Sequence, residues 1–258
     1  MPVTKSPTDS LDELFKWSTS ELHGTGSSVS VANGAEFNPS RFLYHMLPWQ
    51  YARMILDRAR LRLSPVRSWS DPYEAWWCGL LFDNPAPLKG YNAYGVCLTT
   101  GAHDEPRWRM AAFGREPDAP IVRLRSSAFR MNAVANALAA SLIGTAYLGD
   151  VRYKRQSLIA DLAARVAATE EKPPIDVAAE MLMLKRAAFR FEQEVRLLWL
   201  DQAEPREEVL VEIDPLSVFD QLMVSPHAMP AQISEIESYC RDLPLSILTS
   251  SVNALPSL

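Results

Sequence analysis

The feature that most constrains the fold is a short apolar run, YGVCLTT, at residues 94–100. Apolar runs of this length, bounded by polar turn residues, are typical of buried strands. A polar loop follows at residues 101–107, and residues 121–124 have the composition of a further strand. We therefore expect a buried sheet that continues through both segments.

The rest of the chain mixes strand and helix patterns. The other predicted strands are residues 42–46, 61–64, 195–200, 209–213 and 222–225. Pro48 begins a predicted helix that carries Tyr51, Met54, Ile55 and Ala59 on one face. Helical character also covers residues 128–143, 155–171, 177–191 and 231–241. This arrangement predicts an α+β fold.

One domain accounts for most of the 258 residues, since a hydrophobic content of 48% is enough for a sizeable core. We interpret residues 1–40, which are rich in Ser, Thr, Gly and Asn, as a flexible N-terminal arm with one short helix. Leu11, Leu14, Phe15 and Trp17 form the apolar side of that helix. The domain then covers residues 41–245, and residues 246–258 form a C-terminal tail.

The composition and the absence of known motifs limit the cellular compartment and the types of reaction that we expect. The three cysteines, Cys78, Cys97 and Cys240, are widely spaced, which fits a reducing compartment better than a disulfide framework or a zinc ribbon. No signal peptide or membrane-spanning run is found, so we expect a cytoplasmic protein, with secretion independent of a signal peptide as the alternative. The net charge of −5 argues against non-specific binding to nucleic acid or membranes. P-loop, GxGxxG and HExxH motifs are absent, and we expect no bound metal.

Two glutamates, Glu192 and Glu194, are the leading candidates for a catalytic site. They flank Gln193 between a predicted helix and a predicted strand. In an extended chain the period of two places both carboxylates on one face, where like charges raise each other's pKa. Exposed pairing with Arg190 and Arg196 is equally consistent with the sequence.

Other candidate residues are ambiguous when each is taken alone. His45 ends the first predicted strand, and a structural histidine is the commoner case there. Asp71 and Glu74 lie in the loop SWSDPYE, where they are either ordinary turn chemistry or a partner for an Arg or Lys that positions the loop beside a cleft. Lys185 has the sequence context of a solvated helix residue.

An aromatic and basic group follows the YGVCLTT strand. It consists of Trp108 and Phe113 with Arg107, Arg109 and Arg115. These residues are suited to holding a flat ring with anionic groups, and core packing with solvated arginines is the alternative.

Several of these segments follow one another in a recognisable order. They are LYH at 43–45, IL at 55–56, LRLSP at 61–65, WSDPYE at 69–74, VCLT at 96–99, Trp108, VRY at 151–153, Lys185 and FRFEQEVR at 189–196. Over residues 42–213 this order resembles the bacterial domain-of-unknown-function family 2971. The chain departs from that family at Phe189, where the family usually has Trp, and at residues 111–113, where AAF replaces Tyr-Ala-Asp.

The same order is similar to the H-x-E type of ADP-ribosyltransferase fold. In that order a histidine lies on the first strand, threonines end a middle strand and a Glu-x-Glu lies on a late strand. This resemblance implies a single α+β domain with a central, mostly antiparallel split sheet flanked by helices, and it implies NAD as substrate. The implied NAD-binding residues are His45, Tyr44, Thr99, Thr100 and Trp108, with His45 on the adenosine ribose and Trp108 over the nicotinamide.

The resemblance also assigns catalytic roles. Glu194 holds the 2′-hydroxyl of the nicotinamide ribose and favours an oxocarbenium-like transition state, while Glu192 positions or activates the acceptor. His45 completes the implied catalytic set. The implied substrate loop consists of Asp71, Tyr73 and Glu74, together with Arg196.

The function expected from this resemblance is an NAD-dependent ADP-ribosyltransferase or NAD glycohydrolase, acting on an unknown protein or nucleic-acid acceptor as a toxin, effector or defence protein. The main alternative is an inactive binding module of the same fold, which holds a protein partner through residues 1–40 and the loop at 69–77. A metal-dependent nuclease built on Asp71, Glu74, Glu192 and Glu194 ranks third. The relative placement of His45 and Glu194 is the most informative structural test.

Overall fold

The computed structural model describes residues 29–32, 38–79, 91–101, 105–112, 119–167, 175–202 and 205–250. Ten strands in these ranges form one sheet: β1 (Val29–Ala32), β2 (Phe42–Pro48), β3 (Arg60–Pro65), β4 (Asn92–Thr99), β5 (Ile121–Ser127), β6 (Thr145–Asp150), β9 (Glu194–Asp201), β10 (Val209–Glu212), β11 (Gln221–Val224) and β12 (Ser246–Thr249). Two short parallel strands, β7 (Arg152–Lys154) and β8 (Leu184–Arg186), form a separate small sheet.

Helices flank the large sheet. The described α-helices are α1 (Trp49–Arg58), α2 (Pro72–Cys78), α3 (Glu105–Ala112), α4 (Ala128–Ser141), α5 (Gln156–Ala167), α6 (Ile175–Leu182), α7 (Pro215–Val218) and α8 (Pro230–Cys240). Short 3-10 helices cover Val66–Ser68 and Ala187–Glu192. None of the helices in the described ranges is long and apolar enough to cross a membrane.

The large sheet divides along one edge of its central strand, β4. On the undivided edge, β9 runs antiparallel to β4 along its whole length and places Glu194 opposite Thr99. On the other edge, β3 pairs only with the start of β4, at Tyr94 and Gly95. Strand β2 pairs only with its end, where Tyr44 lies opposite Thr99. The sheet therefore forks: β2 leads on to β5, β11 and β12, and β3 leads on to β10.

This architecture confirms the predicted α+β domain with a large, mostly antiparallel sheet between helices. In the large sheet, the β1–β6 and β11–β12 pairs are parallel and the other described pairs are antiparallel. The predicted buried strands at 94–100 and 195–200 are confirmed as β4 and β9.

Side chains of β9 alternate between two hydrophobic cores. The odd-numbered residues from Val195 to Trp199 pack in the larger core with α1, α4 and α8. Leu198 and Leu200 pack in the second core with α2, α5 and α6. Since side chains two residues apart share a face, Glu194 and the other even-numbered positions lie on the side of the second core.

One predicted helix is wrong. Residues 177–191 divide into the end of α6 at Leu182, strand β8 and the 3-10 helix Ala187–Glu192. Strand β8 is extended because it pairs with β7, about thirty residues earlier in the chain, and such a partner is not visible in a local pattern of apolar residues. The loops predicted at 68–74 and 101–107 also contain the first turns of α2 and α3.

The two predicted terminal segments lie partly in the described ranges. Residues 29–32 of the predicted arm form β1, and residues 246–249 of the predicted tail form β12 beside β11. The remaining parts, residues 1–28, 33–37 and 251–258, lie outside the described residues, as do Phe113 and Arg115.

Candidate functional site

Three of the predicted site residues form one row across the fork of the sheet. Tyr44 on β2 lies opposite Thr99 on β4, and Thr99 lies opposite Glu194 on β9. Directly opposed residues share a face of the sheet, so the three side chains belong to the face of the second core. His45 is one residue further along β2 and therefore belongs to the opposite face, where its Nδ1 lies 3.2 Å from the carbonyl oxygen of Cys97.

Two cavities lie at the fork, one for each of these faces. The α1 pocket, about 440 Å³, is lined by His45 with side chains of α1 such as Tyr51 and Met54. The carboxylate pocket, about 430 Å³, is lined by Tyr44, Trp69, Glu74, Lys185, Glu192 and Glu194, among others. Met46, Trp69 and Cys97 line both pockets. The structure thus brings the two glutamates together with Tyr44 and places His45 in a neighbouring pocket.

A buried ionic cluster forms one side of the carboxylate pocket. Arg196, on β9, donates from Nε to Oε1 of Glu194 at 2.9 Å and from Nη2 to Oε2 at 3.2 Å. Its guanidinium also donates to Glu74 and to the carbonyl oxygen of Leu182, and it stacks 4.7 Å from the ring centre of Trp69. These contacts explain how a fully buried arginine is tolerated.

Lys185 joins the same cluster from β8. Its Nζ donates to Oε2 of Glu192 at 2.6 Å and to Oε2 of Glu194 at 3.1 Å, and it lies 3.6 Å from Oε1 of Glu74. Three carboxylates and two cations therefore meet at one wall of the pocket. The solvated helix residue expected from the sequence is instead nine-tenths buried.

The carboxylate pair is close for a reason other than the one predicted. Glu192 ends the 3-10 helix, Gln193 has a left-handed backbone with φ of 44°, and Glu194 begins β9. The segment is not a continuous extended chain, so period-two alternation does not bring the two side chains together. Their shared partner Lys185 does.

Thr99 holds this turn to β4. Its buried hydroxyl donates to the carbonyl oxygen of Glu192 at 2.8 Å and accepts from the backbone N–H of Gly101 at 2.9 Å. Thr100, which is partly exposed, donates more weakly to the carbonyl oxygen of Gln193 at 3.4 Å. The predicted threonines thus support the site through the backbone of its neighbours.

The predicted substrate loop is the start of helix α2. Asp71 caps the helix by accepting from the N–H of Tyr73 at 3.0 Å, and it also accepts from Nη2 of Arg186 at 3.0 Å. The guanidinium of Arg186 lies 4.2 Å from the ring centre of Tyr73. These contacts of Asp71 and Arg186 fix the first turn of α2 and so place Glu74 in contact with Arg196. Glu74 lines the carboxylate pocket, whereas Asp71 and Tyr73 support it from behind.

Trp108 lines neither of the two pockets at the fork. It is buried in a small core cluster with Ile121 and Met223, which matches the core-packing alternative. It lines a separate cavity of about 190 Å³ with His227. Its neighbour Arg107 does line the carboxylate pocket.

Burial and charge separate the acidities of the three glutamates. Burial raises the pKa of Glu192 and of Glu74 above the ordinary value, although Lys185 and Arg196 respectively act against that rise. Burial acts in the same sense on Glu194, but Arg196 and Lys185 outweigh it and hold its pKa well below the ordinary value. Glu194 is therefore a fixed anion over the whole working pH range.

The floor of the carboxylate pocket carries a free thiol. Cys97 lines both pockets between the arms of the fork, where the residue is exposed to solvent although protein atoms crowd its thiol. Desolvation there, followed by the charge of Glu194, raises the pKa of its thiol well above the ordinary value. The thiol is therefore neutral at physiological pH.

Two residues that contact the cluster were not among the predicted catalytic or NAD-binding residues. The hydroxyl of Tyr153 accepts from the backbone N–H of Glu194 at 2.8 Å, and burial raises the pKa of this tyrosine to about 12. Trp69 covers Arg196 and donates through Nε1 to Ser64 at 3.0 Å. Both belong to the ordered motifs VRY and WSDPYE, and that order was the only signal available for them.

Comparisons with known proteins found no match for this chain. No protein-family model matches this chain, and comparisons with curated proteins and with solved structures found no similar protein. The resemblances to family 2971 and to the ADP-ribosyltransferase fold therefore stay predictions. Within the described ranges, no group of three or more His, Cys, Asp or Glu side chains is arranged to hold a metal ion.

Proposed function

We propose that the protein consumes NAD, as an ADP-ribosyltransferase or an NAD glycohydrolase, at the carboxylate pocket. The observation that carries this proposal is the buried pair Glu192 and Glu194 at the wall of a pocket of about 430 Å³, where Glu194 is held ionised. In NAD the nicotinamide ring carries a positive charge. When its glycosidic bond to the ribose breaks, nicotinamide leaves as a neutral molecule and positive charge develops on the ribose. That reaction needs a fixed anion beside the ribose more than it needs proton transfer.

The shape of the site also suits a two-part ligand. Each pocket at the fork falls in the usual size range of small-molecule sites, and the two share Met46, Trp69 and Cys97. Tyr44 and Trp69 offer aromatic surface beside the carboxylates. In this proposal Tyr44 is the β2 residue that meets the reacting end of NAD, because it shares the face of Glu194. His45 meets the other end from the α1 pocket.

The direct test is to incubate the purified chain with NAD and to measure the release of nicotinamide by chromatography. We expect Glu192→Gln and Glu194→Gln each to lower the rate by about 100-fold or more, as removal of a key electrostatic contact does in other enzymes. Glu212→Gln is the matched control, since the Glu212 side chain is 82% exposed on β10, and it keeps the full rate. Equal rates in all three variants would contradict the proposal.

The same assay separates transfer from hydrolysis. Free ADP-ribose in an amount equal to nicotinamide indicates a glycohydrolase, whereas ADP-ribose attached to added protein or nucleic acid indicates a transferase. The acceptor is then identified from the labelled material.

One observation favours a second candidate, an inactive binding module. Both oxygens of Glu194 accept from Arg196, and Oε2 also accepts from Lys185, so the glutamate is already engaged without a ligand. Calorimetric binding of NAD with no release of nicotinamide would establish this alternative in place of the enzyme.

A further inference from the structure

The two glutamates of the pair are held in different ways. Glu194 is anchored by the two nitrogens of Arg196 on its own strand, and its backbone N–H donates to the hydroxyl of Tyr153. Glu192, in contrast, has one ion pair among the described residues, with Nζ of Lys185 at 2.6 Å. The orientation of the Glu192 carboxylate therefore depends on Lys185 far more than that of Glu194 does.

The small sheet of β7 and β8 carries both of these anchors. Tyr153 on β7 lies directly opposite Lys185 on β8. One side chain of this pair contacts the backbone of Glu194, and the other contacts both carboxylates. A sheet of only three residues in each strand thus helps to fix the position of both glutamates at the wall of the pocket.

Electrostatics gives Lys185 a second task. Lys185 from β8 and Glu194 from β9 act directly on the charge of Glu192, and Tyr153 from β7 responds to it. The other titratable and charged groups of the same pocket wall are Glu74 from α2, Cys97 from β4 and Arg107 from α3, with Arg196 bonded to Glu194 and Glu74. Without Lys185, Arg196 would remain bonded to Glu194 and Glu74, whereas Glu192 would lose its described ion pair. Because Arg196 bonds to Glu194 and Glu74, the excess negative charge would fall on Glu192.

We propose that Lys185 is the positioning residue of the pair, which holds the Glu192 carboxylate in an ion pair and oriented toward the pocket, so that Glu192 meets a bound ligand beside Glu194. This inference rests on the proposed function for the identity of the ligand, but its structural part is independent of NAD. Glu194, held by Arg196, supplies the fixed negative charge in the same pocket.

The first measurement follows the Glu192 carboxyl carbon by ¹³C NMR in chain labelled at glutamate, with Glu192→Gln used to assign the signal. In Lys185→Met we expect the pKa of Glu192 to rise by about one pH unit or more relative to the wild type. Lys185→Arg restores the wild-type titration because it restores the charge. Lys154→Met is the matched control, since Lys154 is a lysine of the same small sheet, and it leaves the titration unchanged.

The second measurement is the pH profile of NAD consumption. In Lys185→Met the acidic limb of kcat moves to higher pH by the same amount as the NMR titration, with KM changed less than kcat. Lys185→Arg restores the profile. If Lys185→Met fails to fold by circular dichroism, Lys185→Gln, which removes the charge but keeps a donor for Glu192, replaces it in both measurements.

The outcomes separate the two proposals. An unchanged Glu192 titration in a folded Lys185 variant overturns the inference about Lys185, whatever happens to NAD. A wild-type chain that does not consume NAD, together with the expected NMR result, overturns the proposed function and leaves Lys185 as the residue that keeps Glu192 ionised.

Discussion

Arg196 grips both oxygens of Glu194, two residues before it on the same strand, while its remaining donors reach Glu74 and the carbonyl of Leu182. One buried cation thus connects β9 with the first turn of α2 and the last turn of α6. The cluster is a structural joint between three elements as well as a wall of the pocket. Changes to it should therefore affect stability and ligand chemistry together.

Removal of the Arg196 side chain charge should strongly destabilise the domain. Arg196→Met leaves Glu194 and Glu74 buried without their main partner, and breaking a buried ion pair on one side costs about 3 to 5 kcal/mol. The free energy of unfolding from urea denaturation measures this loss. Arg60→Met is the control, because the Arg60 pair with Glu212 is exposed and should contribute less than about 1 kcal/mol. Equal stability of the two variants would show that the cluster is not a joint.

Gly95 should not tolerate a side chain, although β4 is otherwise a regular strand. An added Cβ would lie 2.8 Å from Cδ2 of Leu198 and 2.9 Å from Cζ2 of Trp69, closer than carbon atoms pack. We expect Gly95→Ala to lose about 1 to 3 kcal/mol of stability and to push Trp69 away from Arg196. In Gly101→Ala the nearest atom is 3.4 Å away, so this control should unfold at nearly the wild-type temperature in calorimetry.

Local patterns predicted the strands that are buried on both faces. The runs at 94–100 and 195–200 lie between two cores, so almost every residue is apolar and the pattern is unambiguous. Strand β8 was not predicted, because only its pairing with β7 makes it extended. Residues 177–191 therefore read as one helix, and Lys185 read as a solvated helix position.

Several residues that line the carboxylate pocket were named from the sequence, but their geometry was not. Glu192 and Glu194 do lie together, yet a left-handed Gln193 joins them, and the sequence has no glycine there to signal such a backbone. His45 and Tyr44 differ by one position, and only the register of β2 on β4 decides which of them faces Glu194. Register across a fork depends on contacts about fifty residues apart in the chain, which no local pattern contains.

Glu180 on α6 should make stability depend on pH. Its side chain is only 4% exposed, and neither carboxylate oxygen has a hydrogen-bond partner in the described part of the chain. Burial raises its pKa from 4.5 to about 7, with Arg152 opposing and Asp176 adding to the rise. Between those two values the unfolded chain releases this proton while the folded chain keeps it. Stability is therefore lost as pH rises from about 4.5 to about 7.

The variant Glu180→Gln removes this titration. Relative to the wild type it should gain about 1 to 3 kcal/mol at pH 8 and little at pH 5, where the wild-type carboxyl is already neutral. Urea denaturation at the two pH values measures the difference. Glu237→Gln, at an exposed position of α8, should show no such dependence. The explanation fails if Glu180→Gln gives the same gain at both pH values.

Thr99 should matter through its hydroxyl alone. Thr99→Val keeps the shape of the side chain but leaves the buried carbonyl of Glu192 without its donor and the N–H of Gly101 without its acceptor. Such unsatisfied groups cost about 1 to 3 kcal/mol. Because the Glu192 carbonyl also fixes the turn that carries the carboxylate, NAD consumption should fall in this variant as well.

Two further variants separate this role from general packing. Thr99→Ser retains the hydroxyl and should keep most of the stability and activity. Thr100→Val removes a hydroxyl that lies further from its acceptors, at 3.3 and 3.4 Å, and should change the free energy of unfolding by less than about 1 kcal/mol. If Thr99→Val behaves like Thr100→Val, then the turn at Gln193 is held by other contacts, and the packing of β9 against β4 is sufficient to place the carboxylate pair.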